Sequence, residues 1–129
     1  MFTFTESDGL VVVTYKPGDG DVFESFARGI GNIGSAFRAD FLLDLRGLAG
    51  PLDILSNEVL GKRWTELARG RDVGRRTAIV SIDDSIIAQL DIFRAIYPYR
   101  KIAMFAEYEA ARDWLSGISD ADAGDVQYI

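Results

Sequence analysis

The apolar positions of the chain change their spacing from one stretch to the next, and each spacing is typical of one kind of secondary structure. Apolar and polar residues alternate in residues 2–5, and residues 10–16 are largely apolar, which predicts two strands in an N-terminal β-hairpin. Three further apolar runs cover residues 40–45, 77–82 and 101–106. Short continuous runs of this kind predict buried strands.

Between these runs, apolar residues recur every three or four positions, as they do along one face of an α-helix. Four stretches have this spacing and predict four helices, over residues 22–37, 52–67, 86–97 and 108–118. We expect the first to be one continuous helix with Asp19 or Asp21 as its N-cap. Pro51 suits the first turn of the second helix, and Pro98 is expected to end the third.

The apolar side of the second helix is expected to face the core. Its predicted core residues are Leu52, Leu55, Val59, Leu60, Trp64 and Leu67. Trp64 and Trp114 both lie on helical apolar stripes, so we expect both indole rings to pack in the core or in an interface.

The elements follow the order ββαβαβαβα, in which apolar strands alternate with helices. This order is typical of an α/β fold with a single, mainly parallel sheet covered by helices, here with an N-terminal β-hairpin. At 129 residues the chain suits one domain, which we assign to residues 1–118. Residues 119–129 are acidic and rich in small residues, and they are interpreted as a C-terminal tail.

Composition removes several classes of chemistry. The chain has neither His nor Cys, so it cannot build Ser-His-Asp or Cys-His catalysis, a typical zinc site or a disulfide. Its net charge of -6 disfavours nucleic acids and anionic membranes as partners, because both require a basic face. There is no apolar run long enough to span a membrane, and the N-terminal residues do not resemble a secretory signal, so we expect a cytoplasmic protein.

Gly29, Gly31 and Gly34 spell G-x-G-x-x-G, the fingerprint of dinucleotide-binding enzymes. That fingerprint binds pyrophosphate only where the glycines join a strand to the N-terminus of the next helix. Here the preceding strand ends near Lys16, and the predicted helix already begins at Val22. We therefore interpret the glycines as a means of close helix packing or as the frayed end of a helix, and we predict no bound cofactor.

Ligands of such sheets bind beyond the carboxyl ends of the strands. The loops expected there carry mostly acidic residues: Lys16, Asp19, Asp21, Arg46, Asp53, Asp83, Asp84 and Glu107. Capping of helices is the interpretation that we favour for the aspartates, with Asp83 or Asp84 capping the third helix. The alternative is a Mg²⁺ or Ca²⁺ site built from Asp19, Asp21, Asp83 and Asp84, because these ions prefer oxygen ligands.

Three stretches carry a resemblance to a known family: FLLDLRGL, RRTAIVSID and KIAMFAEYEAARDWL. They resemble the central strand, the next strand and the closing strand and helix of STAS domains, and most closely the stand-alone SpoIIAA-like bacterial group. The resemblance implies a STAS fold and a role as an interaction module or a small-ligand binder, without catalysis.

Signalling members of that family carry a D-S-[ST]-G segment whose first Ser is phosphorylated, which switches binding to a partner. The corresponding stretch here is AGPLDILSN, so the segment is absent. The acceptor position falls on Asp53, and Ser56 is the nearest hydroxyl. The family's phospho-switch is therefore not expected in its usual form, although Arg46, Asp53, Ser56, Asp83 and Asp84 remain the candidate partner or ligand face.

Three functions follow from these observations. The first is a non-catalytic interaction or regulatory module that docks to a protein partner or self-associates as a homodimer. The second is a binder of a small apolar or amphipathic ligand between the helices and the sheet, suggested by Phe23, Phe26 and Phe37 and by the glycines of the first helix. The third is a metal-assisted enzyme that uses carboxylates.

Overall fold

A computed structural model describes residues 1–18 and 20–117 of the chain. Its five strands form one sheet in the order β1-β2-β3-β4-β5. The strands are β1 Phe2–Ser7, β2 Leu10–Tyr15, β3 Asp40–Asp44, β4 Arg76–Val80 and β5 Lys101–Phe105. β1 pairs with β2 in antiparallel orientation, whereas the three following pairs are parallel. The predicted α/β class with a single, mainly parallel sheet is confirmed.

Five helices lie among the described residues. They are α1 Val22–Ile30, α2 Ile54–Ala68, α3 Asp84–Ile87, α4 Leu90–Ile96 and α5 Tyr108–Ser116. The predicted tail over residues 119–129, together with Asp19 and Ile118, falls outside the described part of the chain.

The two faces of the sheet are covered unequally. Alternate residues of β2, β3, β4 and β5 point to one face, where they pack with α1, α2, α3 and α4; we call it the cavity face. The intervening residues, such as Leu42 and Ala78, point to the opposite face and pack against α5. Because strand side chains alternate between faces, the central strands are apolar on both sides, as their continuous sequences predict.

The predicted continuous helix over residues 22–37 is wrong. α1 ends at Ile30, and a turn leads to a short 3₁₀ segment over Ala36–Arg38. Beyond Gly31 the backbone makes bonds of the i→i+3 type, such as Asn32 N–H to the Gly29 carbonyl. Glycine and asparagine have low helix propensity, and three of the four residues 31–34 are of these two types.

α1 lies against the N-terminal strand. The Phe26 ring packs on Phe2 and Phe4, with ring centroids 5.7 and 6.0 Å apart, and Ser25 Oγ accepts a hydrogen bond from Phe2 N–H. A Cβ on Gly29 would stand 1.9 Å from a ring carbon of Phe4. The close packing predicted for the glycines is therefore confirmed at Gly29.

The third predicted helix is divided into α3 and α4. Between them, the side-chain amide of Gln89 accepts a hydrogen bond from Leu52 N–H and donates one to the Leu52 carbonyl, at 3.0 and 2.9 Å. This pair of bonds ties the break to the segment that leads into α2. α4 ends at Ile96, two residues before Pro98, as predicted.

The face that α2 buries overlaps only in part with the one predicted. Leu55, Val59 and Leu67 are 73%, 70% and 51% exposed, so their assignment to the core is wrong. Trp64 is buried as predicted, and the other buried residues of the helix are Asn57, Gly61 and Ala68. This face can be buried because Gly61 lets α2 approach Ile96 of α4 closely. Its polar groups are also hydrogen-bonded, since Asn57 Oδ1 accepts from the Tyr97 hydroxyl and Trp64 Nε1 donates to Asp72.

Candidate ligand cavity

The acidic residues predicted at the strand ends act mainly as helix caps. Asp21 accepts hydrogen bonds from Phe23 N–H and Glu24 N–H at 2.8 and 3.0 Å, which confirms it as the N-cap of α1. Asp53 is the N-cap of α2, so Pro51 lies before the helix and not in its first turn. The Ser56 hydroxyl and the Ser56 N–H both donate hydrogen bonds to Asp53 Oδ2, at 2.6 and 2.9 Å. These two bonds, the one from the hydroxyl foremost, hold the pKa of the Asp53 carboxyl below its usual value.

Asp83 caps α3 and also connects two loops. Its carboxylate accepts hydrogen bonds from the Ser85 hydroxyl, from Ser85 N–H and, across the fold, from Gly50 N–H at 2.9 Å. These donors, the Ser85 hydroxyl foremost, lower the pKa of Asp83 to about 2. Asp84 is exposed in the first turn of the same helix.

Arg46 forms an ion pair with Asp44, the last residue of β3. Its guanidinium donates two hydrogen bonds to Asp44 at 2.9 and 2.7 Å, which lowers the pKa of that carboxyl. The hydrogen bonds do not join these five candidate residues into one site, because Arg46 bonds to Asp44, Ser56 bonds to Asp53, and Asp83 bonds to Ser85 and to Gly50 N–H. The five candidates are Arg46, Asp53, Ser56, Asp83 and Asp84.

A metal centre and a nucleotide site find no support in the described residues. Across residues 1–18 and 20–117, no group of three or more acidic side chains lies close enough to hold a metal ion. Asp19, one of the proposed ligands, is outside that part of the chain. Gly29 lies inside α1 and Gly31 is its C-cap, so the glycine motif does not open a helix in the way that pyrophosphate binding requires.

A cavity of about 80 Å³ lies between the cavity face of the sheet and α1, α2 and α4. One water molecule needs roughly 10–15 Å³ of such space, so the cavity has room for a small organic group. Its lining is almost wholly apolar. The apolar residues that line it include Phe2, Phe23, Phe26, Leu43, Leu52, Leu60, Trp64, Ile79, Phe93 and Ile102.

Phe23 and Phe26, which the sequence suggested for a ligand site, both line this cavity. Phe37 does not, because it follows the end of α1 and packs on Trp64 with ring centroids 4.8 Å apart. The cavity lies where the aromatic face of the first helix meets the sheet.

Among the described residues, four with polar side chains line the cavity: Asn57, Thr77, Tyr97 and Arg100. Two of them satisfy one another, since the Tyr97 hydroxyl donates to Asn57 Oδ1 at 2.9 Å. Burial raises the pKa of the Tyr97 hydroxyl, so it stays protonated and keeps its role as a donor.

Within residues 1–18 and 20–117, Arg100 is the one charged residue that lines the cavity, and it is only 8% exposed. Its Nε donates to Thr77 Oγ1 at 2.7 Å, and its Nη2 donates to the carbonyls of Ala39 and Arg76 at 2.7 and 3.3 Å. The guanidinium also lies over the Phe41 ring, 5.0 Å from its centroid. Burial lowers the pKa of Arg100 to about 10, so the side chain keeps its positive charge at neutral pH.

A surface groove between α1 and α2 adjoins the cavity, and Phe23 and Leu60 line both. The exposed side chains of Leu55 and Val59 form part of its wall. Charged residues of both signs complete the groove: Asp21, Glu24 and Arg63. The groove therefore offers an apolar approach to the cavity.

Sequence reasoning missed Arg100 and Asn57. Arg100 follows Tyr-Pro-Tyr and immediately precedes the last strand, and nothing in its neighbourhood along the sequence marks it as buried. Its partners Thr77 and Ala39 are 23 and 61 positions away. For Asn57, the only signal is an uncharged polar residue four positions before Gly61, which is too weak to predict a buried face.

Comparisons of the chain with protein-family models, with curated proteins and with solved structures found no match. The resemblance to STAS domains therefore stays a prediction. Within the described residues, no helix combines the length and the apolar character needed to cross a bilayer. What the structure establishes is an α/β domain with a small apolar cavity beside its sheet, and the buried Arg100 is among the residues that line this cavity.

Proposed function

We propose that this protein is a non-catalytic binding protein that holds a small apolar or amphipathic molecule in the cavity between α1, α2, α4 and the sheet. The observation that carries the proposal is the cavity itself, which is lined almost entirely by apolar side chains. Protein interiors are normally packed as densely as organic crystals, and unfilled apolar space costs stability. A ligand that fills the space recovers those contacts.

The two tryptophans provide a direct test, because Trp64 lines the cavity and Trp114, which belongs to α5, packs on the opposite face of the sheet. We expect octanol to change the emission of Trp64 in a Trp114→Phe variant and to raise the melting temperature, since a ligand that binds only the folded state stabilises it by mass action. The matched Trp64→Phe variant, which keeps Trp114, is expected to show no change in emission. An unchanged melting temperature at saturating octanol would contradict the proposal.

Filling the cavity from within should abolish this binding. Leu43 lies in the middle of β3 and lines the cavity, so Leu43→Phe places a larger side chain into the space. Val12→Phe is the control, because Val12 packs on the opposite face of the sheet. Native mass spectrometry of protein purified without added ligand should then find a bound small molecule in the wild type and in Val12→Phe, and none in Leu43→Phe.

A second candidate function is self-association through the groove between α1 and α2, in line with the interaction module that the STAS resemblance implies. Leu55 and Val59 are 73% and 70% exposed side by side on α2, which is unusual for a surface without a partner. Glu24 and Arg63 lie in the same groove, so a two-fold dimer could pair each with its counterpart on a second copy.

We expect the wild-type protein to dimerise at micromolar concentration and Leu55→Lys to be monomeric, because a charge would be buried in the interface. Leu67→Lys is the matched control, since Leu67 is exposed on the same helix but does not line the groove. Sedimentation equilibrium measures both. A monomeric wild type would remove this candidate and would leave ligand binding untouched.

A further inference from the structure

The wall of the cavity offers almost no polar surface to a ligand. Its polar residues make their hydrogen bonds within the protein. The Tyr97 hydroxyl donates to Asn57 Oδ1, and Thr77 Oγ1 accepts from the guanidinium of Arg100. A polar group moved into such a space would lose its hydrogen bonds to water without gaining others, which costs free energy. The part of a ligand that enters the cavity is therefore apolar.

The size of the cavity limits how much of a ligand it can hold. An apolar cavity of roughly 150 Å³ holds one benzene ring. The cavity of about 80 Å³ has about half that volume, so it accommodates about three or four carbon atoms. A longer alkyl chain would fill the cavity with its end and continue outside it.

The groove between α1 and α2 gives such a chain a path out of the cavity. Phe23 and Leu60 line both spaces, so the groove adjoins the cavity directly. Leu55 and Val59 line the groove and are 73% and 70% exposed. A chain that leaves the cavity along these side chains would remove apolar surface from water on both partners, which is favourable.

The charged side chains of the groove do not select a head group of one sign. Asp21 accepts the capping hydrogen bonds of α1, and Glu24 is paired with Arg28 at 3.1 Å. Arg63 brings the opposite charge to the same groove. These side chains are exposed, so water solvates them and would also solvate a head group beside them. A head group of either charge can therefore stay hydrated there.

We propose, on the basis of the proposed function, that the ligand is a single-chain amphiphile that enters with its methyl end first. The end of the chain fills the cavity, the following carbons lie along Leu55 and Val59, and the head group stays in water. The recognised class is thus defined by its alkyl chain, whereas neither the size nor the charge of the head group is limited by the cavity.

Straight-chain alcohols from ethanol to octanol test the length of the site. Affinities follow from the emission of Trp64 in the Trp114→Phe variant, because Trp64 lines the cavity. Binding should tighten about fourfold per methylene up to butanol, where each methylene is fully buried. From butanol to octanol the gain should be about twofold per methylene, since the groove covers one side of the chain. A site confined to the cavity would give no gain beyond butanol.

Octyl glucoside tests which end enters, because it has the chain of octanol and a sugar that is too large for a cavity of about 80 Å³. Below the concentration at which it forms micelles, it should bind within about threefold of octanol. Octyl sulfate and octyltrimethylammonium, which carry opposite charges, should bind as well. Failure of octyl glucoside to bind, or binding of only one of the charged pair, would refute the proposal.

Val59→Ser removes apolar surface from the groove and none from the cavity. It should weaken octanol about threefold and leave butanol unchanged, because butanol is held within the cavity. Leu67→Ser is the matched control, since Leu67 is exposed on the same helix but does not line the groove. An equal loss for octanol and butanol, or no loss for octanol, would contradict a chain that lies along the groove.

The alcohol series also separates the two proposals. If no alcohol binds, the proposed function fails and this inference fails with it. If the alcohols bind but gain nothing beyond butanol, the cavity stands as a site for a small apolar molecule and the amphiphile is refuted. The exposed side chains of the groove are then left to contact with a second copy of the chain.

Discussion

Replacing Trp114 by alanine is expected to lower the free energy of unfolding by about 3–5 kcal/mol, the cost of removing a fully buried large aromatic side chain. Trp114 is 1% exposed and packs on Phe105, with ring centroids 5.7 Å apart. The Arg76 guanidinium lies over the indole ring, 5.0 Å from its centroid. Small domains have a total stability of about 5–15 kcal/mol, so this single change should remove a large part of it.

Urea unfolding at neutral pH measures the loss from Trp114→Ala. Tyr99→Ala is the control, because Tyr99 is an aromatic residue that is 50% exposed, and its loss should fall within about 0.5 kcal/mol of wild type. Since Trp114 packs on the face opposite to the cavity, the folded fraction of Trp114→Ala should still bind octanol. A loss below about 1 kcal/mol would mean that α5 is not packed on the sheet as described.

Replacing Gly61 by leucine is expected to destabilise the fold by about 3 kcal/mol or more, because it overpacks a contact that has no free space. A Cβ at this position would stand 2.1 Å from Ile96 Cγ2 and 3.0 Å from the Ile96 carbonyl oxygen. Part of the obstacle is therefore backbone of α4, which cannot rotate away. Even Gly61→Ala should destabilise, although alanine gains about 1 kcal/mol of helix propensity over glycine.

Gly61→Leu should also abolish binding in the cavity. Asn57 lies one turn before Gly61, and its hydrogen bond with Tyr97 joins α2 to the end of α4. Forcing the helices apart would break that bond and separate the cavity walls. Lys62→Leu is the matched control, since it adds the same side chain at the next, exposed position. Thermal melts with and without octanol measure both the stability and the binding. If Gly61→Leu keeps the stability and the octanol binding of the wild type, the close contact between α2 and α4 is refuted.

Much of the architecture could be read from the sequence, because the signals for it are local. Strand runs such as residues 40–45 and 101–106 lie within one or two positions of the observed strands. Asp21 and Asp83 were placed as caps because a cap bonds to N–H groups two or three residues away. The glycine motif was excluded as a nucleotide site for the same reason, since its distance from the preceding strand is a property of the chain alone.

The ends of α1 and the division of α3 from α4 were predicted less well. The apolar period continues through Ile33 to Phe37, yet glycine and asparagine end the helix at Ile30. Gln89 separates α3 from α4 by bonding to Leu52, which lies 37 positions away. In both cases the apolar spacing was correct, but it reports which residues are buried and not whether the backbone between them stays helical.

The sequence by itself determined the fold class, the strands, the caps and the absence of histidine and cysteine chemistry, because these depend on residue types and on contacts a few positions apart. Only the tertiary structure decided that α2 buries Asn57 and Gly61 instead of Leu55 and Val59. It alone decided that Arg100 is buried beside an apolar cavity. Those properties depend on what packs against each side chain, and the partners are supplied by segments tens of residues away, which no local pattern records.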